Sequence, residues 1–308
     1  MKILITGACG NIDEKKIEKI NKIKKIKKVY LIDNFNSQRY QALFNLKKNK
    51  NYIFFDIDLS KNNLSKFEKV DYVLHLASLT NAQGSFDKKK EMFRNNLGCM
   101  NNIIHYCKRT KAKLIHLSST SVYGKQAKIV SENDEHLLKP QSPYAEIKLI
   151  EENLLKKNSK FLKYLSFRFG TIAGVSKGIR FHTAINKFCL NVSLNEEIYV
   201  YKTAYNQYRP YLSLRDAFKL FKFCIEKDKF INSTFNALSG NYTVKQIINF
   251  IKEYKKSVKI RFVKTEIMNQ LSYKVEDKKL NKFGLRLNSD IKKDIKETLN
   301  LFKGLKYK

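Results

Sequence analysis

The stretch Met1-Lys2-Ile3-Leu4-Ile5-Thr6-Gly7-Ala8-Cys9-Gly10-Asn11-Ile12-Asp13 decides the fold of this chain. Its apolar first part is typical of a buried strand, its glycines of a tight turn, and the residues that follow it of a helix. Glycines in such a turn let the backbone approach a pyrophosphate, whose charge meets the N–H groups and the dipole of the helix start. A strand, turn and helix without any ligand is the alternative.

A second apolar run, Val29-Tyr30-Leu31-Ile32, ends in Asp33. An acid at the end of the second strand can accept hydrogen bonds from an adenosine ribose and would repel a 2′-phosphate. The sequence therefore favours NAD over NADP as the dinucleotide.

Further apolar runs alternate with helical stretches along the first half of the chain. Strands are predicted at residues 52–59, 70–77 and 113–117, and a helix at 96–108. This alternation indicates βαβ units and an α/β fold with a Rossmann-like, doubly wound parallel sheet. Ligands of such sheets bind beyond the carboxyl ends of the strands, so polar and small residues there are expected to meet at one edge.

Tyr144 and Lys148 form a second informative feature, because a spacing of four residues places both side chains on one helix face. Ser142 is predicted to cap this helix and Pro143 to occupy its first turn. A nearby ammonium favours phenolate over phenol and so brings a tyrosine towards general-base function. Tyrosine and lysine pairs at this spacing also arise by chance, so the pair gains weight from its surroundings.

Taken together, these motifs resemble the extended short-chain dehydrogenase/reductase family, in particular its NAD-dependent nucleotide-sugar epimerases and dehydratases. The resemblance spans nearly the whole chain and depends on the order and spacing of its parts. These are residues 6–13, Asp33-Asn34-Phe35, Asp58-Leu59, His75-Leu76-Ala77, residues 118–124, the Tyr144/Lys148 pair, residues 168–174 and Arg209-Pro210-Tyr211-Leu212.

The resemblance implies a catalytic triad of Ser119, Tyr144 and Lys148. It also implies a set of cofactor-binding residues, which are Gly7, Cys9, Gly10, Asn11, Ile12, Asp33, Asn34, Asp58, Leu59, Leu76, Ala77, Ser78, Asn96, Ser118, Tyr144 and Lys148. The implied substrate-binding residues are Ser119, Thr120, Thr171 and Arg209, with Arg209 on the diphosphate of a nucleotide sugar. His182 and residues 269–273 are weaker candidates for the same pocket.

The implied reaction is an NAD-dependent epimerisation of a nucleotide-diphosphate sugar through a transient keto sugar. Related 4,6-dehydratases carry an Asp-Glu pair directly after the triad Ser or Thr, where this chain has Thr120 and Ser121. Neither residue can serve as the acid or base of a water elimination. Epimerase therefore leads, with a reductase or dehydratase of the same family as the alternative.

Two positions depart from the family pattern. Asp13 stands where the last glycine of the turn is expected, and a carboxylate there would weaken phosphate binding if it faced the ligand. Alternatively, it caps the helix and faces away. Thr171 replaces a more usual asparagine, which puts one substrate contact in doubt. A non-catalytic family member is therefore a further alternative.

The chain of 308 residues is expected to form an NAD-binding domain over 1–169 and a smaller substrate-binding lobe over 170–308. Part of 209–235 is expected to return to the first domain. By the same resemblance we expect a homodimer, paired through helices such as 96–108 and 144–157.

Five scattered cysteines suit a reducing cytoplasm, and neither they nor the five histidines have metal-ligand spacing, so no metal is expected. No uncharged apolar stretch is long enough to span a membrane. The formal net charge of +33 raises a polyanion-binding alternative, but lysines are spread evenly along the chain. Non-specific polyanion binding at low salt is expected, without a specific nucleic-acid partner.

Overall fold

The computed structural model describes residues 1–10, 26–44, 52–80, 84–126, 129–264 and 273–305. Its strands are, in chain order, β1 (Lys2–Thr6), β2 (Lys28–Asp33), β3 (Tyr52–Asp56), β4 (Tyr72–His75), β5 (Lys113–Ser119), β6 (Ile129–Val130), β7 (Tyr164–Phe169), β8 (Thr171–Ala173), β9 (Ile198–Tyr201), β10 (Tyr208–Ser213), β11 (Ser233–Ala237), β12 (Gly240–Thr243), β13 (Ile260–Val263) and β14 (Lys274–Val275). The described α-helices are α1 (Lys89–Thr110), α2 (Pro143–Lys157), α3 (Ala184–Ser193), α4 (Leu214–Lys227), α5 (Val244–Lys252), α6 (Lys278–Lys282) and α7 (Ile291–Asn300).

A seven-stranded parallel sheet forms the centre of the molecule, in the order β11-β7-β5-β4-β1-β2-β3. The chain runs outward from β1 to one edge and then crosses back to build the other half. This is the doubly wound α/β arrangement that the sequence predicts, and the fold class is confirmed. The carboxyl ends of all seven strands lie along the same edge, where such sheets bind ligands.

Both faces of this sheet are covered, which explains why its strands are almost continuously apolar. On β1, Ile3 and Ile5 belong to a core cluster that includes apolar residues of α4, whereas Leu4 points to the other face and packs in a cluster with residues of α1. The sheet is therefore the middle of three layers.

The chain leaves the sheet after β7 and returns to it at β11, which pairs in parallel with β7. The remaining strands form smaller sheets, β12-β10-β8, β13-β9 and β14-β6, and of these strands only β6 precedes β7. A separate core cluster, made chiefly of residues from α3, β9, α5 and α7, lies beneath them. The residues after β7 thus build a second packed unit over the carboxyl edge of the large sheet.

Several expected elements lie at or near their predicted bounds. β5 continues to Ser119, two residues beyond the predicted strand, and α1 extends beyond the predicted helix at both ends. β3 ends at Asp56 and is shorter than expected. The predicted helix after the glycine turn lies outside the described residues, together with Asn11, Ile12 and Asp13. Among the described helices, none combines the length and the apolar character needed to cross a bilayer.

Candidate active site

The glycine turn packs directly against the end of β4. Gly7 has a φ of +66°, and a Cβ at this position would lie 2.6 Å from the backbone nitrogen of Ala77. Only glycine fits this close approach in a left-handed conformation. Gly10 closes the turn by donating to the carbonyl oxygen of Gly7 at 3.0 Å. Leu76, whose N–H donates to the carbonyl oxygen of Thr6, and Ala77 therefore border the turn.

Asp33 ties the end of β2 to this turn. Its Oδ2 accepts from the N–H of Cys9 and its Oδ1 from the N–H of Phe35, both at 2.9 Å. The carboxylate is half-buried at the carboxyl end of β2, in the place where an adenosine ribose is expected. Cys9 itself is buried, and burial together with Asp33 raises the pKa of its thiol to about 12. Cys9 therefore contributes its backbone, not a thiolate.

A polar cavity of about 430 Å³ opens next to Asp33, beyond the carboxyl ends of β2 and β3. Its lining residues are Asn34, Asn36, Asp56, Asp58, Ser60, Lys61, Glu91, Arg94 and Asn95. Asp58 is fixed there by the N–H of Ser60 at 3.0 Å and by Lys61 at 3.2 Å. The adjacent Leu59 is buried beneath the cavity.

Asn96 serves the loop that follows β4. Its side-chain oxygen accepts from the N–H of Leu79 at 2.8 Å, and its amide nitrogen donates to the carbonyl of Leu79 at 3.0 Å. This fully buried side chain fixes the loop that carries Ser78, whose hydroxyl donates to the same carbonyl at 3.4 Å. Asn96 thus holds the backbone of the loop that follows β4.

The predicted helix carrying Tyr144 and Lys148 is confirmed as α2. The hydroxyl of Ser142 accepts from the N–H of Ala145 at 3.2 Å, and Pro143 is the first helical residue. The ammonium of Lys148 lies 5.9 Å from the centre of the Tyr144 ring. The helix cap therefore fixes the turn that presents both side chains.

Ser119, at the end of β5, lies near enough to Tyr144 to lower the pKa of its phenol. Its Oγ also accepts from the hydroxyl and from the N–H of Ser121, at 2.9 and 3.2 Å. The structure therefore brings the three predicted triad residues together, although they come from distant parts of the chain.

The pKa of Tyr144 is raised, whereas the sequence predicts that the neighbouring Lys148 lowers it. Burial raises the pKa of Tyr144 above its ordinary value, while Lys148 acts in the opposite direction. The predicted effect of the ammonium is present, but the loss of solvation of the phenolate outweighs it in this structure.

Ser118 points into the core rather than towards the sheet edge. Its hydroxyl donates to Glu152, which forms a buried ion pair with Arg168 at 2.7 Å. The Ser118 hydroxyl is therefore used inside the core, and its backbone is what it can offer to a cofactor.

The predicted substrate residues lie on the second packed unit and at its junction with β5. Thr120 donates to the carbonyl of Phe169 at 3.2 Å and lies 3.3 Å from the hydroxyl of Tyr273. Thr171, on β8, pairs with Tyr211 on the neighbouring β10, which also carries Arg209. Tyr273 in turn lies within electrostatic reach of Tyr144. His182 lies exposed in the segment after β8.

Tyr211 belongs to the Arg209–Leu212 motif, but nothing in the sequence assigns it a role of its own. Its hydroxyl is buried and has no hydrogen-bond partner in the part of the chain that the structure describes. Burial raises the pKa of both Tyr211 and Tyr273, while Arg209 lowers both. A guanidinium and two phenols therefore lie within electrostatic reach of each other, which suits a polar, anionic ligand.

The segment between β8 and α3 covers the glycine turn. A Cβ on Gly178 would lie 2.1 Å from the carbonyl oxygen of Gly10. Arg180 donates to Thr80, and its Nε has no hydrogen-bond partner among the described ranges. Burial and the neighbouring Arg39 lower the pKa of Arg180 to about 10. This half-buried guanidinium, which the sequence analysis missed, could pair with an anion through its buried Nε.

The chain matches the NAD-dependent epimerase/dehydratase family over residues 3–237. It belongs to that family. This extent covers the large sheet except Lys2, the first residue of β1, and includes the three predicted triad residues. The family description also supplies the cofactor, NAD, in agreement with the sequence.

Several individual proteins that are similar to the chain are named as nucleotide-sugar enzymes. UDP-glucuronic acid 4-epimerase from Bacillus cereus has the same fold, with a TM-score of 0.89, 23% identity and coverage of 98% of this chain and 99% of that one. ADP-L-glycero-D-manno-heptose-6-epimerase of Brachyspira hyodysenteriae is 24% identical over 85% of this chain and 83% of its own.

A longer relative comes from Arabidopsis thaliana, the trifunctional UDP-glucose 4,6-dehydratase/UDP-4-keto-6-deoxy-D-glucose 3,5-epimerase/UDP-4-keto-L-rhamnose-reductase. It is 23% identical over 97% of this chain, which spans 47% of that protein. The chain therefore covers about half of that relative, whose name combines dehydratase, epimerase and reductase activities.

The described residues of this family member fit NAD. The backbone cradle at Gly7 would be filled by any Cβ, and the buried Nε of Arg180 points to an anionic ligand near the turn. Asp33 lies at the same edge, where its carboxylate would meet the adenosine ribose. No group of three or more metal-ligating side chains occurs among the residues with described positions.

Proposed function

We propose that this chain is an NAD-dependent epimerase of a nucleotide-diphosphate sugar that acts through a transient keto sugar. The observation that carries the proposal is the assembly of Ser119, Tyr144 and Lys148 at the carboxyl edge, followed by Thr120 and Ser121 where a dehydratase needs two acids. This site can move one proton and orient one oxygen, which is what an epimerisation requires.

In the proposed mechanism, Tyr144 as phenolate takes the proton of a sugar hydroxyl, and Ser119 hydrogen-bonds the same oxygen as its charge changes. NAD, when bound, supplies the hydride acceptor and donor. Lys148 holds the ammonium charge that favours the phenolate. After the keto sugar has turned over in its pocket, Tyr144 returns the proton to the oxygen of the inverted carbon.

We assign residues 1–169, together with β11, to the cofactor and most of 170–308 to the sugar nucleotide. Arg209 is proposed to bind the diphosphate, because a guanidinium forms paired hydrogen bonds to such a group. Thr171, Tyr211 and Tyr273 supply hydroxyls on the sugar side, next to Thr120. This arrangement leaves the sugar between Tyr144 and the second packed unit.

A reductase of a keto sugar is the second candidate, because its proton-transfer residues would be the same. A 4,6-dehydratase is disfavoured by Thr120 and Ser121, which carry no carboxylate. A non-catalytic family member is disfavoured by the intact triad.

We further propose a homodimer in a reducing cytoplasm. The five cysteines are all unpaired and buried, which suits reducing conditions.

The proposed dimer pairs through α1 and α2, which lie side by side and are joined by an ion pair between Lys89 and Glu146 at 3.1 Å. Light scattering of the purified protein tests the dimer, and a monomer at micromolar concentration would contradict it.

The enzymatic proposal is tested by denaturing the purified protein, measuring released NAD, and incubating the native protein with a panel of nucleotide sugars. We expect bound NAD and interconversion of two sugar isomers without added cofactor. Product that forms only with added NADH or NADPH would favour the reductase, and loss of water from the sugar would favour a dehydratase.

A further inference from the structure

A buried glutamate lies directly behind Lys148. Glu151 follows Lys148 by three residues on α2, and its Oε2 accepts from the ammonium of Lys148 at 2.8 Å and from Nε2 of His116 at 2.9 Å. The three side chains are at most 5% exposed. One carboxylate oxygen is therefore shared by the ammonium beside Tyr144 and by an imidazole on β5.

The imidazole is fixed from the other side of the sheet core. Nδ1 of His116 lies 2.9 Å from the hydroxyl of Ser166 on β7, and its ring stacks on His75 with 6.4 Å between ring centres. His75 in turn lies 2.8 Å from the hydroxyl of Thr6 on β1. These contacts fix the orientation of the His116 ring. The Glu151 carboxylate is therefore held by His116 on the sheet as well as by Lys148 on its own helix.

The carboxylate is ionised at neutral pH. Burial alone would raise the pKa of Glu151, but Lys148 and His116 bring it down to about 2. The negative charge offsets part of the positive charge that Lys148 presents to Tyr144. At short range inside a protein such charges interact by several kcal/mol, so this offset is large enough to govern a proton transfer.

Other charged and titratable groups face this cluster, and all have to be counted. They are Arg180, from the segment after β8, and Tyr273, both near Tyr144, Cys99 of α1 near Lys148, and His75 of β4 near Glu151. Arg180 favours the Tyr144 phenolate, as Lys148 does. Glu151 is the carboxylate that acts on Tyr144 from within its own helix.

We propose that Glu151, held by His116, is a positioning residue that shares the charge of Lys148 and thereby sets the pH at which Tyr144 gives up its proton. This inference rests on the proposed function. An epimerase uses Tyr144 as base in one half of the reaction and as acid in the other. Without the counter-charge of Glu151, the ammonium of Lys148 would stabilise the Tyr144 phenolate more strongly. Tyr144 would then be held as phenolate, whereas the second half of the reaction needs its phenol as a proton donor.

The test is an ultraviolet titration of phenolate in protein loaded with NAD, with the Y144F protein subtracted to isolate Tyr144. In E151Q, measured against E151Q/Y144F, we expect the apparent pKa of Tyr144 to fall by about one unit, since an offsetting charge has been removed. An unchanged or higher value would overturn the inference. E151D keeps the negative charge but moves it one methylene group away from Lys148, so a smaller fall in the apparent pKa of Tyr144 is expected. If E151Q does not fold, the titration of E151D tests the inference instead.

The neighbouring residue supplies a matched control. Glu152 is also a buried glutamate of α2, but it pairs with Arg168 and not with Lys148. E152Q is expected to lower thermal stability without moving the titration of Tyr144. A similar shift in both variants would show that only general damage to the helix is being measured.

The readout separates the two proposals. A lowered Tyr144 pKa in E151Q without turnover of any nucleotide sugar would leave the inference standing and remove the epimerase. Turnover in the native protein, with a Tyr144 titration that E151Q does not change, would support the epimerase and overturn the inference about Glu151. If both the epimerase proposal and the inference hold, the acidic limb of the pH–rate profile of E151Q shifts to lower pH by the same amount as the Tyr144 titration.

Discussion

Tyr144 has a matched control elsewhere in the chain. We expect Y144F to lower kcat by about 100-fold to 10,000-fold, because the proton of the sugar hydroxyl loses its acceptor, while bound NAD is retained. Tyr123 is also buried, but its hydroxyl donates to Asn236 and accepts from Arg168. Y123F should lower the free energy of unfolding by about 1–3 kcal/mol and leave kcat nearly unchanged. Equal losses of kcat in both variants would argue against a chemical role for Tyr144.

His75 predicts how stability depends on pH. Burial lowers its pKa to about 3, against about 6.5 in an unfolded chain. Between these values the unfolded chain binds a proton that the folded chain does not. The contribution of the neutral imidazole is therefore complete above about pH 6.5 and is lost as pH falls, at up to about 1.4 kcal/mol per unit.

H75Q removes this titration, so its unfolding free energy, measured by urea denaturation between neutral and mildly acidic pH, should fall less steeply with acid. H136Q changes an exposed histidine in the same way and should keep the native slope. Identical slopes in the native protein and H75Q would disprove the assignment.

Sequence reasoning found the residues that define a family motif and missed those that depend on contacts across the fold. Tyr144 and Lys148 could be selected because they are four residues apart, and Ser119 was added by the family resemblance. Glu151 and His116 meet only through the pairing of α2 with β5. A histidine inside the apolar run of β5, and a glutamate three residues after Lys148, were the available signals.

Among the elements, α2 couples its own start to the chemistry. Removing the Ser142 cap in S142A should cost about 1 kcal/mol of stability, and because Tyr144 lies in the first turn, kcat should fall as well. T243A removes a capping box from α5, with a similar loss of stability, and should leave kcat unchanged. Thermal unfolding and steady-state rates test both. A normal kcat in S142A would show that the cap does not position Tyr144.

The segment over the glycine turn should control cofactor affinity. G178A places a methyl group against the backbone of Gly10, which cannot yield, so the segment must move and NAD binding should weaken by about tenfold or more. G240A introduces the same methyl group against the movable side chain of Tyr242 and should bind NAD normally. Calorimetric titration with NAD distinguishes them, and equal affinities would show that the segment does not shape the cofactor site.

The parallel strands of the large sheet were predictable because buried apolar runs, spaced by helical stretches, leave few other arrangements. The pairing of strands in the small sheets was not predictable from the sequence. β10 pairs with β8 in parallel and with β12 antiparallel, across separations that leave no local pattern in the sequence. β6 and β14 are two residues each, too short to show any periodicity.

For the whole molecule, the formal net charge of +33 predicts attraction to any polyanion at low salt. Binding to unrelated DNA and to heparin should fall steeply with added salt, with a logarithmic slope set by the number of charges neutralised. Fluorescence anisotropy at several salt concentrations measures this slope. A sequence preference that persists at moderate salt would instead indicate a dedicated nucleic-acid partner.

The return of the chain to β11 has a consequence for how such a protein can change its specificity. Because β11 follows much of the second packed unit in the chain, a chimaera with one breakpoint after β7 would inherit the edge strand of its large sheet from the wrong parent. Recombination that transplants a sugar pocket intact must therefore cut on both sides of β11. Gradual substitution within β8, β10 and their loops is the easier evolutionary route.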